Sequence, residues 1–189
     1  MITKQEIFEG LYGAWRLLLG DRGAIALFDN SVAGFWKSFF AAIFVLPIYF
    51  TMTAIGAIEF NSSRSLPAIV LIVSEFYIIA WVLWPLIIGH VLPVLDRDDK
   101  FTLYVVAYNW MSAVGAGLFF VAVLVTTLLP IPDGFAALIM VGALFGVLAY
   151  HVFIAHTALG ISIGVAIGLT VVDFILHELV QGVMFGRLS

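Results

Sequence analysis

Apolar positions in this chain fall in continuous blocks rather than in alternation, and five of the blocks are long enough to cross a bilayer. A helical span takes about 20 mostly apolar residues to traverse a hydrocarbon core of about 30 Å. The blocks lie at 32–57, 66–95, 101–129, 135–158 and 162–183. The period-two pattern of a β-barrel strand is absent, so the blocks predict helices.

Punctuation between the blocks sets the helix ends. Asp29, Asn30 and Ser31 offer N-caps for the first span, and Glu59–Ser65 reads as a polar loop. Pro67, Pro85 and Pro93 interrupt the second span, and Pro85 lies deep enough to predict a kink near Trp81–Pro85. Asp96–Lys100, the most charged run, reads as a solvated loop, and Pro130–Gly134 as a tight turn. The stretch from Phe135 to Val183 would be about 73 Å long as one helix, more than any bilayer. It is therefore expected to fold back within His156–Ser162, with Gly160 ending one span and Ser162 capping the next.

Residues 2–19 carry a different pattern. Ile7, Leu11, Trp15 and Leu18 recur at helical spacing, Phe8, Tyr12 and Leu19 widen the stripe, and Lys4, Glu6, Glu9, Gly13 and Arg16 fill the other side. This predicts an amphipathic helix ended by Gly20. Leu11, Trp15 and Leu18 would anchor it in the membrane interface, or the helix would pack against the end of the bundle.

Composition narrows the class. Of 189 residues, 63% are hydrophobic and 11% charged, too little polar surface to cover a soluble domain. The expected fold is all-α: a polytopic bundle of five transmembrane helices over 31–189, preceded by an amphipathic segment and linker over 1–30. The chain has no cysteine, which removes disulfides, thiolate metal sites and a Cys nucleophile. No basic cluster points to nucleic acid. Lys4, Glu6 and Glu9 stand where a signal peptide would begin its apolar core.

Lys4, Arg16, Arg22, Lys37, Arg97 and Lys100 fall on one side of a five-span topology, against Arg64 and Arg187 on the other. The positive-inside rule then places the N-terminus in the cytoplasm and the C-terminus outside. On that assignment residues near Asp98 are cytoplasmic, and those near Ser62, Asp133 and Ser189 are periplasmic.

The region from Pro67 to Leu179 resembles the Yip family of five-span membrane proteins, the Ypt/Rab-interacting family and its bacterial relatives. The likeness is carried by Leu86-Ile87-Ile88-Gly89-His90 before a short charged loop, by Val105-Val106-Ala107-Tyr108, and by Tyr150–Ser162, an aromatic-led helix running into a Gly-x-Ser break. The chain reads Asn109-Trp110-Met111 where the family often has a proline, and it lacks the long N-terminal region of the trafficking members. The resemblance implies a five-span fold and carries no defined activity with it.

Ionisable residues within spans are functional candidates by default. Glu75 and Asp173, each about nine residues from an expected outer helix end, would share a level, with His177 one turn from Asp173. Glu75, Asp173 and His177 form either a proton- or cation-responsive site or a hydrogen-bonded clip between helices. His90, His151 and His156 form a cytoplasmic-side polar group, with Asp173, His177 and Glu178 as its outer counterpart. Depth separates these two sets, and His177-Glu178 does not continue into the His-Glu-x-x-His of a zinc protease, so no metal site and no cofactor is expected. Tyr104, Tyr108 and Asn109 give either a polar lining or ordinary packing. Gly142-x-x-x-Gly146 and Gly160-x-x-x-Gly164-x-x-x-Gly168 predict close helix packing within a tight bundle.

No nucleophile elbow or phosphate loop is present. The expected role is a non-enzymatic, membrane-organising or accessory protein, with lipid and other membrane proteins, or further copies of itself, as partners. The alternatives are a small transporter or channel built on the acidic/His site and, third, a metal-dependent membrane enzyme.

Overall fold

The computed structural model describes residues 2–59 and 64–189, apart from the side chains of 56–59; Ser62 lies outside them. The fold is all-α, 87% helical with no strand among the described residues. An N-terminal helix, α1 (Lys4–Leu18), is followed by α2 (Val32–Ser38), α3 (Ala41–Glu59), α4 (Leu66–Val91), α5 (Phe101–Leu128), α6 (Asp133–Leu159) and α7 (Ile163–Leu188). Five segments are long and apolar enough to span a membrane: Val32–Ile55, Leu66–Leu95, Asp98–Leu128, Asp133–Leu159 and Ile163–Leu188. The chain is a helical integral membrane protein.

The caps follow local chemistry. Thr3 and Glu6 form a reciprocal capping box at the start of α1. At its end Gly20 adopts φ +84°, its N–H donating to Leu17 and that of Asp21 to Arg16, a pattern that satisfies the last carbonyls. Ser31 accepts from the Gly34 N–H, Gly160 turns the chain with φ +63°, and Ser162 caps α7 through the Val165 N–H.

Two spans differ from expectation. The first is divided at Phe39–Phe40 into α2 and α3. Ser38, fully buried, donates its hydroxyl to the Phe35 carbonyl and accepts from Asn109 Nδ2 at 2.8 Å, so its polar contacts are made at the break. The last span continues to Leu188 because Met184 and Leu188 carry its buried stripe through Gly182 and Gly186, neither of which turns left-handed. α4 runs unbroken past Pro85 to Val91.

α1 packs against the bundle. A Cβ on Gly10 would sit 2.3 Å from the Trp110 indole, and the Tyr150 hydroxyl donates to the Ala14 carbonyl. Trp110 is nine residues into α5 and Tyr150 nine from the end of α6, so α1 meets two antiparallel neighbours at one depth, about 14 Å from their ends. α1 is thereby docked on α5 and α6 together. Of the two expectations for α1, packing against the bundle is the one seen. Gly10, Gly13, Ala14 and Leu17 bury against the bundle, Leu11 and Leu18 are half-buried on the same core, and Phe8, Tyr12, Trp15 and Leu19 are exposed. Gly13, assigned to the polar side, is instead buried beneath the Phe28 ring.

The main core gathers at this end, where Leu17, Trp84, Ile88, Met111, Ile154 and Leu159 pack together. A smaller, separate cluster of Ile72, Val73, Phe76, Met184 and Leu188 joins α4 and α7 toward the opposite end. The glycine stripes do not build either core. A Cβ on Gly142, Gly146, Gly160, Gly164 or Gly168 would meet nothing within 4 Å, so these glycines face outward, correcting the expectation that they tighten the bundle.

Candidate functional site

The α6–α7 hairpin creates a polar junction within the spans. Counting from its turn, His151 lies eight residues before Leu159 and Asp173 ten after Ile163, or about 12 and 15 Å along the two axes. Facing positions on an antiparallel pair therefore bring His151 Nδ1 to 3.2 Å from Asp173 Oδ2. Tyr108, seven residues into α5, completes the group from a third helix. Its hydroxyl donates to Asp173, 3.1 Å from Oδ1 and 3.0 Å from Oδ2.

An aromatic wall orients these groups. The His151 ring meets Tyr108 edge to face at 5.5 Å, and Tyr104 lies 5.9 Å from Tyr108. Trp84 Nε1 donates to the Tyr104 hydroxyl at 3.0 Å, tying α4 to α5. Asp173 and Tyr104 are buried. Beside the carboxylate is a cavity of about 20 Å³ lined by Ala80, Leu83, Trp84, Tyr108, His177 and Asp173, room for about one water.

The expected grouping of Glu75 with Asp173 and His177 is not formed. Glu75 pairs with Arg187 at 3.0 Å, both side chains about half exposed, and the Arg187 guanidinium also lies 5.7 Å from the Phe76 ring. Fourteen residues of α7 separate Arg187 from Asp173, about 21 Å along the axis. The displacement follows from the longer α7: with its end at Leu188 rather than near 183, Asp173 sits some 22 Å from that end and Glu75 about 13 Å. His177 does line the cavity beside Asp173, with its Nε2 3.5 Å from Gln181 Nε2.

His90, His151 and His156 do not meet either. His90 Nδ1 lies 2.8 Å from the Leu86 carbonyl on its own helix, and His156 Nδ1 lies 2.6 Å from the Ile161 carbonyl at the hairpin turn. His151, about 12 Å along α6 from the hairpin turn, turns to Asp173. Glu178 is exposed on α7. No three His, Cys, Asp or Glu side chains among the described residues are placed to share a metal ion. The Tyr108–His151–Asp173 contact was missed at the level of sequence, although equal counts from the Gly160 turn would have found its α6–α7 half.

Chemically, the site can hold one proton at either of two places, the Asp173 carboxyl or the His151 imidazole, while Tyr108 donates to the carboxylate. With a neutral imidazole the Asp173 charge is held by two hydrogen bonds, and with a protonated one it is an ion pair. No protein family, curated protein or solved structure matches the chain.

Proposed function

We propose that this protein is a non-enzymatic, membrane-organising accessory protein, Yip-like in its five-span plan, that shapes or recognises the leaflet in which α1 lies. The N-terminus is cytoplasmic on this reading, in a bacterial inner membrane. The observation that carries it is the docking of α1 on the bundle by one face with its aromatic face left exposed. Its small-residue face is consumed by α5 and α6, and its aromatic face, Phe8, Tyr12, Trp15 and Leu19, is left toward the interfacial layer. The spans of 24–31 residues are about 36–46 Å long, so some 6–16 Å of helix stands outside a 30 Å core. α1 at about 14 Å from the helix ends supplies aromatic surface in the half of the membrane on its own side, on one leaflet only. A molecule wider at one leaflet favours membrane curved away from that leaflet's crowding.

The full-length protein reconstituted into vesicles of graded diameter tests this. The fraction of molecules with the N-terminus outside, read by protease access, is expected to rise as diameter falls, and Trp15→Glu with Phe8→Glu is expected to flatten the trend. An orientation independent of diameter in the wild type would overturn the proposal. A transporter or channel on the Asp173 site is the second reading, favoured by the buried carboxylate and its cavity.

A further inference from the structure

We infer that Asp173 is a proton-binding site within the spans that exchanges with the Ser189 side along α7, through His177 and Gln181. It does not depend on the curvature role proposed above. Asp173, His177 and Gln181 stand at intervals of four on α7 and therefore form one stripe rising toward the helix end. The water-sized cavity is shared by Asp173 and His177, so a single water there can touch both. His177 and Gln181 are 3.5 Å apart, and the buried Gln181 Oε1 has no partner in the protein, an acceptor that a further water would satisfy. One turn and a half beyond, the half-exposed Glu75–Arg187 pair marks the wet end.

The opposite direction is closed. Ala166 and Leu169 on α7 and Ile154 and Ala155 on α6 are buried between Asp173 and the hairpin turn. The path therefore ends at Asp173: protons arrive and leave from one side.

The donor set selects a proton over a metal cation. A hard cation takes about six or more oxygen ligands, whereas Asp173 and Tyr108 offer three oxygens, and the third contact is the His151 nitrogen. Titratable groups face the site from each packed helix: Tyr104 and Tyr108 from α5, His151 from α6 and His177 from α7, while α4 contributes the neutral Trp84. In the exchange, a proton from a water hydrogen-bonded to His177 passes to an Asp173 oxygen, and reprotonation of that water from the His177–Gln181 side restores it.

Infrared difference spectra of the full chain in lipid, taken between acid and alkaline buffer, test the inference. A carboxylic acid C=O band that titrates is expected, lost in Asp173→Asn and retained in Glu75→Gln. Should Asp173→Asn fold poorly, Asp173→Glu is expected to move the band in frequency. Absence of a titrating band, or its loss in Glu75→Gln with retention in the Asp173 variants, overturns the site. After a pH jump, His177→Phe is expected to slow the band's rise about tenfold, the order of one lost hydrogen-bonded step. An unchanged rate would overturn the route.

Discussion

The two ends of this molecule are built on different rules. At the α1 end, side chains from α1, α2, α4, α5 and α6 interlock, and polar contacts tie them together: Ser38 with Asn109, Tyr150 with the Ala14 carbonyl, Lys37 with Glu6. Toward the other end, α5 and α6 run to the Leu129–Asp133 connection with glycines opening outward and large apolar side chains, Val121, Leu128, Phe135 and Leu138, exposed to lipid. In a bilayer lipid is as apolar as leucine, so exposure of that kind costs little, and association rests on close packing and polar contacts. One end is specified by shape and hydrogen bonds. The other needs only to be apolar and helical.

The largest test of that contrast is a glycine pair. Gly10→Leu forces a side chain into the space of the Trp110 indole, where even a Cβ would come within 2.3 Å. Overpacking of this kind typically costs about 1–3 kcal/mol, and here α1 must lift off to relieve it. Gly142→Leu, whose Cβ would meet nothing within 4 Å, is expected to leave stability within about 0.5 kcal/mol. Thermal unfolding in detergent or nanodiscs compares them. Equal effects would mean the two ends are not distinct in packing.

That pair also shows where the sequence was legible. Five spans, the α6–α7 reversal at Gly160, the caps at Ser31 and Ser162 and the stop at Gly20 follow from hydropathy length and local turn chemistry, and the structure places them there. What a glycine packs against is not local information. Gly10 and Gly142 look alike in the sequence, yet one is filled by a tryptophan a hundred residues away and the other faces outward. The site failed for a related reason. Pairing Glu75 with Asp173 assumed that both helices end at the same level; α7 instead runs five residues further, so Arg187 takes Glu75, while Asp173, placed by its distance from the Gly160 turn, meets Tyr108 and His151.

A smaller effect separates polar contacts by burial. Asn109, completely buried, donates to Ser38 while its Oδ1 is without a protein partner. Asn109→Ala strands the Ser38 hydroxyl contact and opens space at the α2–α3 break, an expected loss of about 1–3 kcal/mol. Arg187→Gln removes a half-exposed ion pair at the other end and should cost no more than about 0–1 kcal/mol. Unfolding of the two variants side by side gives the ranking, and a larger loss from Arg187→Gln would move the decisive polar contacts to the wrong end.

The smallest expected effect is a pH dependence confined to the α1 end. Lys37 Nζ lies 2.5 Å from Glu6 Oε1, clasping α1 to α2, and the Lys37 hydrogen bond, followed by the Thr3 backbone N–H, holds the Glu6 carboxyl down at about 2 against an ordinary 4.5. Because the folded value is the lower one, the clasp favours the docked α1 fully above pH 4.5, and its contribution falls away as pH drops from there through about 2. The carboxylate is exposed, so the effect belongs to local docking rather than to global unfolding. Hydrogen exchange of the α1 amides is expected to quicken across that interval in the wild type, with exchange in α6 changing only by the intrinsic acid dependence. In Glu6→Gln the α1 amides should exchange faster at neutral pH and show no extra step on acidification. An extra step of the same size in Glu6→Gln would assign the pH dependence of α1 docking to another carboxylate at that end, Glu9 or Asp29 being the nearest candidates around the same cleft.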